Sequence, residues 1–172
     1  MGSTPFGDAS QLGYAVRDLR PWVDAFVAAG VGPWWISRDM APQRFEYRGE
    51  QSPARFDVAI SWRGSLMIEI IRPVDSHPSP YRTFIDSGRE GLQHVAFFPD
   101  DPDEWVERVT GAGYRMCLDG ESGGFRFTYF EAPDPKLDTL ELGRLSEDAR
   151  LRFAAMREIC AVWDGRDPFR QR

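Results

Sequence analysis

The chain has 172 residues, of which 42% are apolar and 13% aromatic, enough to fill one core or a core shared by two small modules, so disorder is not expected. Its formal net charge is −6 and no basic cluster interrupts the acidic balance, which argues against nucleic acid as a partner, since that binding depends on neutralising phosphates. No apolar run approaches the ~20 residues of a membrane helix, and the opening MGSTPFGDAS lacks the basic and apolar regions of a signal peptide, so a cytoplasmic protein acting on a small molecule is expected.

In chain order, residues 11–17 alternate in the manner of a half-buried strand. Asp18 then offers an N-cap, Pro21 suits a first helical turn, Trp22, Phe26 and Ala29 recur at helical spacing, and Gly30 ends the run. After that helix the period switches to two, which predicts strands near 32–38, 44–48, 54–62 and 65–72. Residues 73–90, rich in proline and glycine, read as a linker holding a short helix around Tyr81–Ser87 and a solvated His77. A second strand is predicted over 92–98, and Trp105 and Val109 mark one face of a second helix that stops at Gly111 and Gly113. Further strands follow near 114–118, 125–131 and 137–143. From Ser146 a capped helix runs to about Trp163, and its wide apolar face needs cover from the sheet or from a second subunit. A homodimer is the expected assembly. Cys117 and Cys160 have no motif spacing and read as reduced thiols.

The two strand-and-helix openings say nearly the same thing. QLGYAVRDLRPWVDAFVAAGV, Gln11 to Val31, aligns without a gap with HVAFFPDDPDEWVERVTGAGY, His94 to Tyr114, at an offset of 83 (94 minus 11). Such an echo marks duplicated units. The expected architecture is α+β: two paired βαβββ modules, residues 9–72 and 91–144, joined by the 73–90 linker, closing on a cleft and followed by a helical tail, residues 145–172.

Strand parity locates the candidate chemistry. Side chains at i and i+2 share a face, so Leu12, Tyr14 and Val16 point to the following helix, while Gln11, Gly13 and Ala15 point inward. By the same count His94, Ala96 and Phe98 point inward in the second copy. Each module then closes on a strand with an acid inside an apolar run: Glu69 in SLMIEIIRP and Glu141 in LDTLELGRL. Either alone reads as an exposed strand residue or as a buried group that needs pairing, because an unpartnered buried carboxylate costs several kcal/mol. The coincidence of two favours the second reading. If the modules face each other, Gln11, Glu69, His94 and Glu141 meet in one cleft, and an imidazole, an amide oxygen and two carboxylates suit a divalent ion such as Zn, Ni, Co, Mn or Fe. Met67, Ile71, Ala96 and Phe98 describe apolar neighbours on the inner face, with Met67 and Phe98 as substrate contacts. Trp34 and Trp35 either line the cleft mouth or pack in the core.

The glycine two residues after Gln11, the GLQHVAF opening, MIEII and TLELG, in this order on two matching modules, resemble the vicinal oxygen chelate superfamily over about residues 9–144. That superfamily includes glyoxalase I, methylmalonyl-CoA epimerase, extradiol dioxygenases and bleomycin-resistance proteins. The resemblance implies metal ligands at Gln11, Glu69, His94 and Glu141, similar to glyoxalase I forms that use glutamine, glutamate, histidine and glutamate in this order. Methylmalonyl-CoA epimerase has a glutamine where Glu69 stands and a further upstream acid where Ser52 or Pro53 falls. Extradiol cleavage uses two histidines and a glutamate, and His94 is the single histidine of the set. The implied activity is metal-assisted proton abstraction next to a carbonyl, as in an isomerase, epimerase or lyase, with Glu141 as base and Glu69 as its counterpart on the opposite face. The alternative is a metal-free protein of the same fold that binds or sequesters a small ligand.

Overall fold

The computed structural model describes residues 7–171; Met1–Phe6, part of the stretch read for a signal sequence, lie outside the described residues. The chain begins as its alternation predicts, with β1 (Gln11–Ala15) followed by α1 (Leu19–Ala28), whose first turn is capped by Asp18 accepting from the Arg20 amide. Then come β2 (Trp34–Met40), β3 (Arg44–Tyr47), β4 (Glu50–Gln51), β5 (Phe56–Arg63) and β6 (Leu66–Pro73). The linker folds into α2 (Pro80–Asp86), capped by Ser79. The second half repeats the plan with β7 (Gly91–Phe97), α3 (Pro102–Gly111), β8 (Arg115–Ser122), β9 (Phe125–Glu131) and β10 (Thr139–Leu145). The tail supplies α4 (Glu147–Ala161) and β11 (Phe169–Gln171). Among the described residues no helix is long and apolar enough to cross a membrane.

The strands of the described residues join one sheet in the order β11-β2-β5-β6-β1-β7-β10-β9-β8-β3-β4. At its centre β1 runs antiparallel to β7, while β6 lies parallel to β1 and β10 parallel to β7, so the two halves meet within one chain about a pseudo-twofold axis. Helix α1 buries Leu19 and Val23 on the outer face with Trp34, Ile68 and Ile70, and α3 does the same with Trp105 and Val109 against Phe130 and Leu142. Each such fully buried side chain contributes about 1.5–3 kcal/mol relative to exposure.

The sheet curls strongly. Phe45 of β3 and Phe56 of β5 stand in opposite halves of the strand order, yet their ring centroids are 5.2 Å apart. One expectation is corrected here: the strand near 44–48 does not stay with the first half but crosses the concave face to pair with β8. The bidentate contact of Arg44 with Asp119 and the burial of Phe45 against Phe127 hold it there. Helix α4 lies over the concave face, packing on β5 from one half and β10 from the other. Only one stripe of α4 is covered: Phe153 and Met156 are buried, while Leu151 and Ile159 face outward.

Candidate metal centre

The four central strands deliver the candidate ligands. Across β6, β1 and β7, Glu69 stands beside Gly13 and Gly13 beside His94; across β1, β7 and β10, Gln11 stands beside Ala96 and Ala96 beside Glu141. The two rows are related by the pseudo-twofold axis, with a small residue at the middle of each. Space explains Gly13: a Cβ built there would lie 1.8 Å from the His94 ring.

Gln11, His94 and Glu141 are sealed from solvent, and the Glu69 side chain keeps 15% exposure. One oxygen or nitrogen atom each from Glu69, His94 and Glu141 lies within 4.8 Å of the others. Gln11 Nε2 donates to Glu69 Oε2 at 2.7 Å and lies 3.3 Å from His94 Nε2. Since amide oxygen and nitrogen differ by a half-turn of the side-chain end, the same rotamer family offers Oε1 to the centre.

His94 Nδ1 lies 2.8 Å from Gln93 Oε1. If the amide oxygen accepts there, the imidazole carries its proton on Nδ1 and aims the Nε2 lone pair inward, the arrangement that orients a metal-binding histidine. That nitrogen is 2.9 Å from Glu141 Oε2 and 3.8 Å from Glu69 Oε2. The 2.9 Å approach is not directed as a hydrogen bond, and both Glu141 oxygens and Gln11 Oε1 are buried without a hydrogen-bond partner. A lone pair and a buried carboxylate at this range repel unless a cation lies between them. The donor set therefore fits a divalent ion of hard to borderline character.

The sequence pattern did not single out Gln93, Tyr81 or Tyr129. The pairing of β1 with β7 shifts register after Gly13, leaving Gln93 as an extra residue, so Gln93 and His94 are both buried where alternation predicts only one. Tyr81 comes from α2, inside the segment read as linker. Tyr129 lies opposite Glu141 in the β9–β10 ladder, on the face it shares with Phe125 and Phe127, and parity alone was enough to find it. The Tyr129 hydroxyl is 3.3 Å from His94 Nε2 and 2.8 Å from the Tyr81 hydroxyl. Burial, reinforced by the charges of Glu69 and Glu141, raises both phenols well above their usual 10.0, so they remain protonated donors.

Glu69, Tyr81, Tyr129 and Glu141 form the polar end of a cavity of about 310 Å³ with Phe45, Phe56 and Phe127 in its walls and Arg152 and Phe153 of α4 over it. Met67 lines this cavity and also a second one of about 320 Å³. Phe98 lines only the second, packed over Gly143, where a Cβ would meet its ring at 2.0 Å. The tryptophans are in the core. Trp34 is fully buried on the helix side, donating its indole N–H to the Val31 carbonyl, because it begins β2 with its ring toward α1. Trp35 packs edge-on against Trp62, centroids 6.2 Å apart, and reaches neither cavity.

The sequence model of the glyoxalase/bleomycin resistance protein/dioxygenase superfamily matches residues 10–129. Among solved structures, methylmalonyl-CoA epimerase from Mycobacterium tuberculosis is 18% identical over 90% of this chain and 96% of its own, with a TM-score of 0.58. A hypothetical protein from Bacillus halodurans is also 18% identical, over 81% of this chain and 95% of its own, with a TM-score of 0.57. Streptomyces coelicolor methylmalonyl-CoA epimerase, solved with 2-nitronate-propionyl-CoA, is 20% identical over 81% and 95%, with a TM-score of 0.52. At these identities the likeness is one of fold. No curated protein matches the chain in sequence.

Proposed function

Because the chain belongs to the glyoxalase/bleomycin resistance protein/dioxygenase superfamily, we propose that it is a divalent-metal-dependent enzyme that removes a proton next to the carbonyl of a small hydrophobic substrate. Gln11, Glu69, His94 and Glu141 would hold the ion, which when bound supplies Lewis acidity to the substrate's carbonyl oxygen. One observation carries the reading: a buried carboxylate with both oxygens unpartnered, beside an inward-facing imidazole, at the end of an apolar cavity.

Glu141 is the base. Neither of its oxygens has a hydrogen-bond partner in the protein, so the one not turned to the ion would accept the proton. Glu69 faces the same cavity from the other half of the sheet and would return the proton on the opposite face. The Tyr129 hydroxyl, held by Tyr81, donates a hydrogen bond towards the negative charge that develops on the substrate oxygen. Proton return to another carbon gives an isomerase or lyase, and return to the other face gives an epimerase. The aromatic lining favours a second reading, a metal-free binding protein, for which the four converging donors would have no use.

Elemental analysis of the purified protein, followed by deuterium exchange from solvent into 2-keto, thioester and cyclic-enone compounds, tests the proposal. About one ion per chain and exchange into one class are expected, with exchange cut at least ~100-fold in Glu141→Gln and about tenfold or more in Tyr129→Phe. Absence of a stoichiometric ion, together with tight ligand binding indifferent to chelator, would establish the binding protein instead.

A further inference from the structure

The roof of the cleft carries a feature that the metal centre does not use. On α4, Arg150, Phe153 and Arg157 face the second cavity, whose remaining wall includes Ser10, Ser65 and Met67. Arg38, Arg44, Arg48, Arg55 and Arg72 are each paired with a carboxylate. Arg150 and Arg157 have no side-chain hydrogen bond or ion pair among the described residues. The charged side chains of α4 that line the two cavities are all basic, although the chain as a whole carries −6. Met67 and Phe153 wall both cavities, so these two side chains form the boundary the cavities share. The first cavity holds Glu69 and Glu141 with Arg152 on its α4 side, and the second holds Arg150 and Arg157 and no carboxylate. Helix α4 (Glu147–Ala161) lies beyond the residues 10–129 matched by the superfamily model.

We propose that the second cavity is an anion-binding subsite and that the substrate is an amphipathic organic anion. Resting on the proton-abstraction reading, the proposal places the substrate's carbonyl end at Glu69 and Glu141, its apolar body along Met67 and Phe153, and a terminal carboxylate or phosphate between Arg150 and Arg157. Charge sets the orientation: the second cavity holds two guanidinium groups and no carboxylate, so it attracts the anionic end.

Calorimetric titration of the chelator-treated protein with octanoate, octyl phosphate and octanamide tests this without the metal centre. At low salt one of the anions is expected to bind about tenfold more tightly than the amide, the scale set by two exposed charge contacts. The preference should shrink as salt rises and vanish in Arg150→Gln/Arg157→Gln, whose unchanged melting temperature would show that the fold is kept. Which anion binds better identifies the terminal group. Equal affinity for amide and anions, or a preference that survives the double substitution, overturns the subsite. Anion preference without deuterium exchange in any compound class would defeat the proton-abstraction reading alone, and exchange without anion preference would defeat the subsite alone.

Discussion

At the scale of the residue, the centre depends on what is missing as much as on what is present. Gly13 has no side chain, and the His94 ring occupies the space that a Cβ would fill. Gly13→Ala should therefore displace the imidazole, cost about 1–3 kcal/mol through overpacking and reduce metal content, whereas unchanged stability and metal content would show that the ring has room to spare. Thermal unfolding with elemental analysis of the variant decides between them. The positions of Gln11, Glu69, His94 and Glu141 were legible because strand alternation is local. Gln93 was not, since the register shift that buries it is a property of the pairing between β7 and β1 rather than of either strand's own pattern.

At the scale of the element, Asp57 ties three strands of the first half together. It sits on β5, almost wholly buried, and accepts from the Asp39 amide and Arg38 of β2 and from Arg72 of β6. Burial pushes its carboxyl up, but these donors outweigh burial and hold it below the ordinary 3.8. A depressed folded pKa contributes stability that is complete above the unfolded value and is lost as pH falls through the folded one. Urea midpoints should thus fall between about pH 5 and pH 2, with a shallower fall in Asp57→Asn, which should be less stable at neutral pH by about 2 kcal/mol. Identical acid limbs in the two proteins would remove Asp57 from that account. The sequence showed each strand here but not the cluster: Arg38, Asp57 and Arg72 are far apart in the chain, and only the β2–β5 and β5–β6 ladders bring them together. The crossing of β3 was hidden for a similar reason, because an edge strand pairs with whichever partner the curvature of the sheet presents.

At the scale of the whole molecule, an ion bound by Gln11 and Glu69 from one half and by His94 and Glu141 from the other would link the halves directly. Such a ligand binds the folded state alone, and at a hundredfold excess over its dissociation constant stabilises by about 2.7 kcal/mol. For a chain of this size that corresponds to a melting temperature about 5–10 °C higher with metal than after chelation. The difference should disappear in Glu69→Gln/Glu141→Gln, and a chelator without effect on the native protein's unfolding would count against the ion. The sequence by itself determined the duplicated α+β plan, the helix caps and the inward face of each central strand, because hydrophobic period, capping and parity act over a few residues. Only the tertiary structure decided that β3 crosses the cleft, that Trp34 and Trp35 belong to the core, that α2 and β9 bring two tyrosines to the centre, and that α4 roofs it with arginines. Each of those outcomes is a contact between segments distant in the chain, selected by the curvature of the closed sheet and by which surfaces it leaves to be covered.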